Sequence, residues 1–499
     1  MEIKLFGTKD VRRPGDLQIL PVFAEEEPTF EGEARELWKE LQKEGVFTGK
    51  AGQTHSSRIR EFGTYRRVFL AGLGDRHTVR PETFGLAVAA GVRGAMDAKC
   101  PVVDLVVPRE ITGTDYYREA GKAMVLAGYR FDRYKAPDPD ESRQPVELVQ
   151  LVTVQPEEAN LLAAHGGMTL GRWVNRARDL VNQPANRQSP SDLAEEALRI
   201  GRETGMDVEV LGEKKIAALG MKAFLAVADA SRQEPALIVM RYRGDEEHPE
   251  RILGLAGKGI VYDTGGLSLK PTSGMLTMKT DMAGAAAVMG AMGMAAAEGL
   301  RLNITAVVAA CENAMGPSGY RPGDILDTMA GKTVFVANTD AEGRLTLADA
   351  VYYLSSVEGA EWILDMATLT GAAEVALGTT VAAGISTDDG FYGQVEEAAR
   401  AGGEKLWRLP AFDEYKELNK ADDADLSNAG GRTAGAITAG LFVGEFTEGK
   451  PWVHLDIAGP SWTEKPNPLQ TKGATGYGVS LLVSLAQSLA VSRKEPDLD

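Results

Sequence analysis

Short apolar runs alternate with stretches of helical spacing along the first third of the chain. Arg66–Gly74 (RRVFLAGLG) reads as a strand closing on a glycine turn, and Pro81–Met96 begins with proline and repeats apolar residues at helical intervals. Val102–Pro108 is a strand, Tyr116–Phe131 a helix and Val146–Val154 another strand. The polar, proline-rich stretch 134–145 is a loop within the same region. Strands alternating with helices predict a parallel or mixed sheet with helices packed on it. A long helical pattern then runs from about Pro156 to about Leu180 and breaks at NQPANRQSPSD. We place a domain boundary near residue 165, giving an N-terminal α/β domain over 1–165 and a larger C-terminal α/β domain over 166–499, its central sheet flanked by helices.

The same alternation continues in the second region. RILGLAG, NITAVVAA, KTVFVAN, EWILDMAT and WVHLDIAG read as strands; GAAAVMGAMGMAAAEG, TLADAVYYLSSVEG, GAITAGLFVGEF and the stretch YGVSLLVSLAQSLAV read as helices. Polar residues recur just after the strands. Lys258 follows ILGLAG, Asp340 and Glu342 follow TVFVAN, and Thr368 and Thr370 follow ILDMA. Ligands of open α/β sheets bind beyond the carboxyl ends of the strands, so these turns are where a site is expected.

Composition narrows the chemistry. A length of 499 residues, with 44% hydrophobic and 25% charged, is that of a globular chain of more than one domain. The net charge of −17 argues against nucleic acid or an anionic membrane as partner. The two cysteines, Cys100 and Cys311, make neither a disulfide framework nor a thiolate cage, which suits a reducing compartment. MEIKLFGTKD carries no secretion signal, and no apolar run reaches the roughly 18 residues of a membrane span. None of the five histidines forms H-E-x-x-H, and there is no G-x-S-x-G elbow. GLAGKG at Gly254–Gly259 lacks the spacing of a phosphate-binding loop.

Two polar stretches remain. VANTDAEGRLTLADA (Val336–Ala350) sets Asp340, Glu342 and Arg344 on one turn, and Gly257–Val288 carries Lys258, Asp263, Lys270 and Asp281 among glycines and small residues. Few charges embedded in glycine, threonine and alanine suggest a buried site that needs close backbone approach. Two acids about 4 Å apart repel by roughly 4 kcal/mol at an effective dielectric of about 20, so converging carboxylates need cations. Without histidine or cysteine ligands the fitting cations are hard or borderline divalent metals. The competing reading is two separate loops whose charges form ordinary surface pairs.

NTDAEGRL together with GKGIVYDTGGLSLK and MKTDMAGAAAV resembles the leucyl (cytosol) aminopeptidases of the M17 peptidase family. VNQPANRQSP, ENAMGPSGYRPGDIL, DMATLTGA, HLDIAGP and GATGYGV resemble further family segments in order, and VFLAGLG resembles, more loosely, the family's macro-like N-terminal domain. The resemblance implies two divalent metal ions, zinc or manganese with magnesium and cobalt also suitable. It implies that Asp263 and Glu342 bridge them, that Asp340 completes an exchangeable site, and that Lys258 and Asp281 complete a tighter one. Lys270 and Arg344 match the family's catalytic pair, the arginine holding a bicarbonate that serves as general base while a metal-bridging water attacks. Met278, Thr368, Leu369, Gly371 and the segment around Ala458 resemble the lining of the side-chain pocket. The implied protein is a cytoplasmic homohexamer, a dimer of trimers, acting on peptides with a free N-terminus. A Cys-Gly dipeptidase and a DNA-binding role of the same fold are the alternatives. Phe335 stands where the family usually has an acidic residue and Ala283 where glycine is common; His454 and Asp456 are read as structural.

Overall fold

The computed structural model describes residues 1–10, 13–24, 26–28, 30–61, 63–136 and 143–491. The chain forms two compact units, one of Met1–Asn175 with Lys465–Lys472, the other of Arg176–Glu464 with the rest of the chain from Gly473. The helix Glu158–Asn182 carries the chain from the first into the second.

The first unit holds a six-stranded sheet of β1 (Glu2–Gly7), β2 (Leu17–Phe23), β3 (Thr54–Glu61), β4 (Thr64–Gly74), β5 (Val102–Val106) and β6 (Leu148–Thr153), ordered β1-β6-β5-β2-β4-β3. All neighbours are parallel except β3 against β4, so the sheet is mixed. β2 reads LQILPVF without alternation because both of its faces are covered. Ile19 packs with Phe84, Val88 and Val92 of the helix Pro81–Asp97, and Leu20 and Val22 pack on the other face with Trp38 and Leu41 of the helix Glu33–Lys43. β3, THSSRIRE, is nearly devoid of apolar residues and owes its strand state to pairing with β4, which is why the apolar pattern misses it. The proline-rich loop expected over 134–145 falls partly outside the described residues.

The second unit contributes β7 (Asp207–Gly212), β8 (Ala236–Arg243), β9 (Ile252–Asp263), β10 (Asn303–Asn313), β11 (Ile325–Asp327), β12 (Thr333–Phe335), β13 (Trp362–Ala367), β14 (Ala382–Ile385), β15 (Leu406–Arg408), β16 (Leu426–Ser427) and β17 (Trp452–Asp456). Eight of them form one sheet ordered β15-β14-β17-β13-β9-β10-β8-β7, with β17, β13, β9 and β10 parallel at its centre. The helix Ala283–Glu298 is buried along nearly all of its length against β9 and β13, and only its small residues let the backbones approach so closely. Among the described residues no helix is long and apolar enough to cross a membrane.

Two strands differ from their sequence reading. β9 runs on to Asp263, so Lys258 lies inside the strand rather than after it. The apolar run before Asp340 keeps only three strand residues, β12, which joins a separate three-stranded sheet, β11-β12-β16. The backbone beyond it bonds to side chains instead of a ladder: Ala337 N and Asn338 N donate to Asn428 Oδ1, and Thr339 N donates to Ser268 Oγ.

Candidate metal centre

Each polar group of the centre is set by a specific piece of backbone. Lys258 projects from the interior of β9, and Asp263 closes the strand. The chain then turns through Gly265 and Gly266, both at positive φ. A Cβ at Gly265 would stand 2.5 Å from Ser268 O and 2.8 Å from Asp340 Oδ1, so only glycine lets this turn lie against the Asp340 segment. The turn closes with Lys270 N donating to Thr264 O, which aims Lys270 back at Asp263. Asp281 follows the short 3-10 turn Met278–Thr280, and Glu342 is the N-cap of the helix Gly343–Ser356, whose first turn carries Arg344.

These groups converge, which excludes the reading of two unrelated surface loops. Lys258 Nζ lies 2.8 Å from Asp281 Oδ1 and 2.8 Å from Glu342 Oε1, and donates to Thr368 O at 3.0 Å. Lys270 Nζ lies 2.8 Å from Asp263 Oδ2 and 2.5 Å from Asp340 Oδ1. Carboxylate oxygens of Asp263, Asp340 and Glu342 all lie within 4.8 Å of one another. Lys258, Asp263, Asp281 and Glu342 are buried, while Asp340 and Lys270 are partly open.

The electrostatics match the crowding. Burial, reinforced by repulsion from Asp263, pushes the Glu342 carboxyl up to about 7. Burial pushes Asp340 up to about 6 against the pull of Lys270, and raises Asp281 against the pull of Lys258. Burial alone would depress Lys258, but the combined attraction of Asp281, Glu342 and Asp263 outweighs it and holds the ammonium protonated. Lys270 follows the same logic through Asp263, Glu342 and Asp340. Among the described residues, none donates a hydrogen bond to buried Asp281 Oδ2 or Glu342 Oε2. Orphaned carboxylate oxygens beside a cluster of acids are what a divalent cation satisfies, so these residues fit a metal. Arg344 differs from the lysines. Its guanidinium is buried, its Nε is unsatisfied, and among the described residues none forms an ion pair or hydrogen bond with it. Burial lowers it to about 10 in spite of Glu342 and Asp456.

Of the remaining residues singled out from the sequence, Thr368 touches this core directly. Thr368 donates from Oγ1 to Asp281 Oδ1 at 2.8 Å, Leu369 N donates to Asp456 Oδ1, and Gly371 opens the helix Gly371–Leu377 behind the N-cap Thr370. Met278, half-buried, opens the 3-10 turn leading to Asp281. His454 and Asp456 do not bond each other: His454 Nδ1 meets Asp365 Oδ1, whose other oxygen accepts from Trp452 Nε1. The sequence reading passed over Asn313, the last residue of β10. Its Nδ2 donates to Asp263 Oδ1 at 2.7 Å and to Thr339 O at 3.1 Å, tying one acid to the residue before another. Its position at a strand end inside ENAMG was the available signal.

Fold and site thus define a class, two-unit α/β proteins with a carboxylate–lysine centre suited to divalent cations. The family models make the assignment specific: the catalytic domain of the cytosol aminopeptidase family matches residues 175–483 and its N-terminal domain matches 19–138. The chain belongs to the cytosol aminopeptidase family, and so to the metal-dependent aminopeptidases. It is 42% identical to a probable cytosol aminopeptidase of Clostridium perfringens over 94% of this chain and 96% of that one. It is 40% identical to a probable cytosol aminopeptidase of Alkaliphilus metalliredigens over 98% of this chain and all of that one. Among solved structures, the bottromycin maturation enzyme BotP in complex with Mn superposes with a TM-score of 0.85 at 29% identity, covering 95% of this chain and all of its own.

Proposed function

We propose that the protein releases N-terminal residues, leucine and other mostly apolar ones, from peptides with a free N-terminus, using two divalent ions per chain. Asp263 and Glu342 would be shared between the ions, Asp340 would complete the exchangeable site, and Lys258 and Asp281 the tighter one. Bound there, the ions supply Lewis acidity and lower the pKa of a water. Lysine donates a lone pair only when neutral, so Lys258 would have to give up its proton to hold a metal there. Lys270 presents its ammonium to the scissile carbonyl oxygen, where negative charge develops. Arg344 would hold bicarbonate through its guanidinium, and bound there the anion would supply a general base. Met278, Thr368, Leu369 and Gly371 line the pocket for the N-terminal side chain. The manganese of BotP and the oxygen-rich ligand set support manganese as the native metal, with zinc, magnesium and cobalt the alternatives. The assembly proposed is a homohexamer of two trimers in the cytoplasm.

The observation that carries this reading is the convergence of four carboxylates on two lysines beside a buried guanidinium with no partner among the described residues. The test is hydrolysis of a leucyl anilide by chelator-stripped protein with each metal added back, run beside the N-acetylated substrate. Metal-restored cleavage of the free amine alone is expected. Equal rates on both substrates, or no cleavage with any metal, sinks the reading.

A further inference from the structure

Asp456 is fully buried at the end of β17 and takes no part in the acid cluster. Its two oxygens collect three donors from two segments. Oδ1 accepts from Leu369 N and from Ala458 N, each at 3.1 Å, and Oδ2 accepts from Thr370 Oγ1 at 2.7 Å. The Thr370 hydroxyl in turn accepts from Ala373 N at 3.0 Å, so the bond to Asp456 also orients the N-cap of the next helix. Asp456 pairs in register with Ala367, the last residue of β13, and Ile457 N donates to Ala367 O. The next residue, Thr368, then meets the centre twice: its carbonyl accepts from Lys258 Nζ and its hydroxyl donates to Asp281 Oδ1. One carboxylate therefore fixes the turn whose first residue holds both Lys258 and Asp281.

We propose that Asp456 is a positioning residue that locks the Thr368–Gly371 turn and through Thr368 sets the orientation of Lys258 and Asp281 and the wall of the side-chain pocket. This rests on the reading of the centre above. Nothing in its hydrogen-bonding calls for a bound ligand: all three donors come from the chain, and β17 supplies only the platform. A buried carboxylate accepting from backbone N–H groups holds its geometry more firmly than a neutral acceptor, because charge-assisted bonds are roughly twice as strong. Groups that orient metal ligands in this way typically change metal affinity by 10–100-fold when removed. Asn at position 456 keeps an oxygen for Leu369 N and Ala458 N but turns a donor toward Thr370. Ala leaves all three donors without a partner.

The test titrates Mn²⁺ into full-length wild type, Asp456→Ala, Asp456→Asn and Thr370→Val by calorimetry, and compares kcat and KM on leucyl and alanyl anilides. Affinity at the tighter site should fall about tenfold or more in Asp456→Ala, with the weaker site little changed. Asp456→Asn should recover most of the loss, and Thr370→Val should shift the same way by less. The preference between leucyl and alanyl substrates should narrow in the same order. A folded Asp456→Ala with wild-type Mn²⁺ affinity and wild-type preference overturns the proposal. If Asp456→Ala does not fold, wild-type values in both other variants overturn it equally. An inactive wild type that still binds Mn²⁺ defeats the peptidase reading alone, since the affinity series continues to test Asp456.

Discussion

Lys258 reaches Glu342 past a glycine that has no room for a side chain: Nζ lies 2.8 Å from Glu342 Oε1, and a Cβ on Gly343 would stand 2.4 Å from Lys258 Cε. The lysine cannot swing aside, because Asp281, Glu342 and the Thr368 carbonyl hold its ammonium together. Gly343→Ala should displace Lys258 and cost about 1–3 kcal/mol, the usual penalty of overpacking. Metal affinity at the Lys258 site should fall with it. Thermal denaturation and Mn²⁺ titration check this; an alanine variant with unchanged Tm and unchanged affinity shows that the passage is wider than the geometry says.

Glu342 and Asp340 differ in burial and should differ in consequence. Glu342 is buried with one oxygen lacking a donor, whereas Asp340 is partly open. If Glu342 is shared between two ions as proposed, Glu342→Ala should abolish both activity and stoichiometric metal binding. Asp340→Asn should weaken one ion only. Metal content per chain after gel filtration decides, and two ions retained in Glu342→Ala contradicts the shared role.

Lys270 stands at the open edge of the cluster, its side chain 17% exposed. An ammonium aimed at an oxyanion acts chiefly in the transition state, so Lys270→Ala should lower kcat by about 10²–10³-fold and alter KM far less. A variant changed mainly in KM points instead to ground-state binding.

Arg344 is buried without a partner among the described residues, the condition of a cation awaiting an anion. Activity in degassed buffer should rise with added bicarbonate in the wild type and stay flat in Arg344→Ala, with two metals still bound. Arg344→Lys should not restore the response, since an ammonium lacks the forked donor geometry. A wild type indifferent to bicarbonate removes this role.

Asp349 lies farther along the same helix and serves structure. Fully buried, it accepts from Phe224 N at 2.9 Å and from Met329 N at 2.8 Å. Burial pushes its carboxyl up to about 7 despite those donors. A carboxyl with a folded pKa above its unfolded value near 4 keeps its proton in the native state while the unfolded chain loses it, so its contribution falls as pH rises from about 4 to 7 and is level beyond. Asp349→Asn lacks this slope but loses an acceptor at every pH. The stability gap between wild type and variant, measured by urea unfolding in chelator, should therefore be wider at pH 5 than at pH 8. A gap that is constant or widens with pH contradicts the assignment.

The strand and helix pattern of the second unit was legible because its central parallel strands are buried on both faces and read as unbroken apolar runs such as ILGLAG and NITAVVAA. The choice of ligand types was legible too. Four acids among glycines, with no histidine or cysteine in either stretch of sequence, point to oxygen-loving cations wherever they meet. That they meet was a matter of tertiary structure. Asp263 and Asp340 are brought together by a turn that only Gly265 permits and by the Asn313 amide, neither of which has a hydrophobic period to announce it. β3 and the three-residue β12 were decided by their neighbours, since hydrogen bonds to a partner strand can hold a segment that its own side chains would not. The same holds for the charges. A sequence gives each lysine, arginine and carboxyl its ordinary titration. Burial and distance, which exist only in the folded chain, pair Lys258 and Lys270 with acids, leave Arg344 without an ion pair or hydrogen bond among the described residues, and assign Asp456 to the turn beside them.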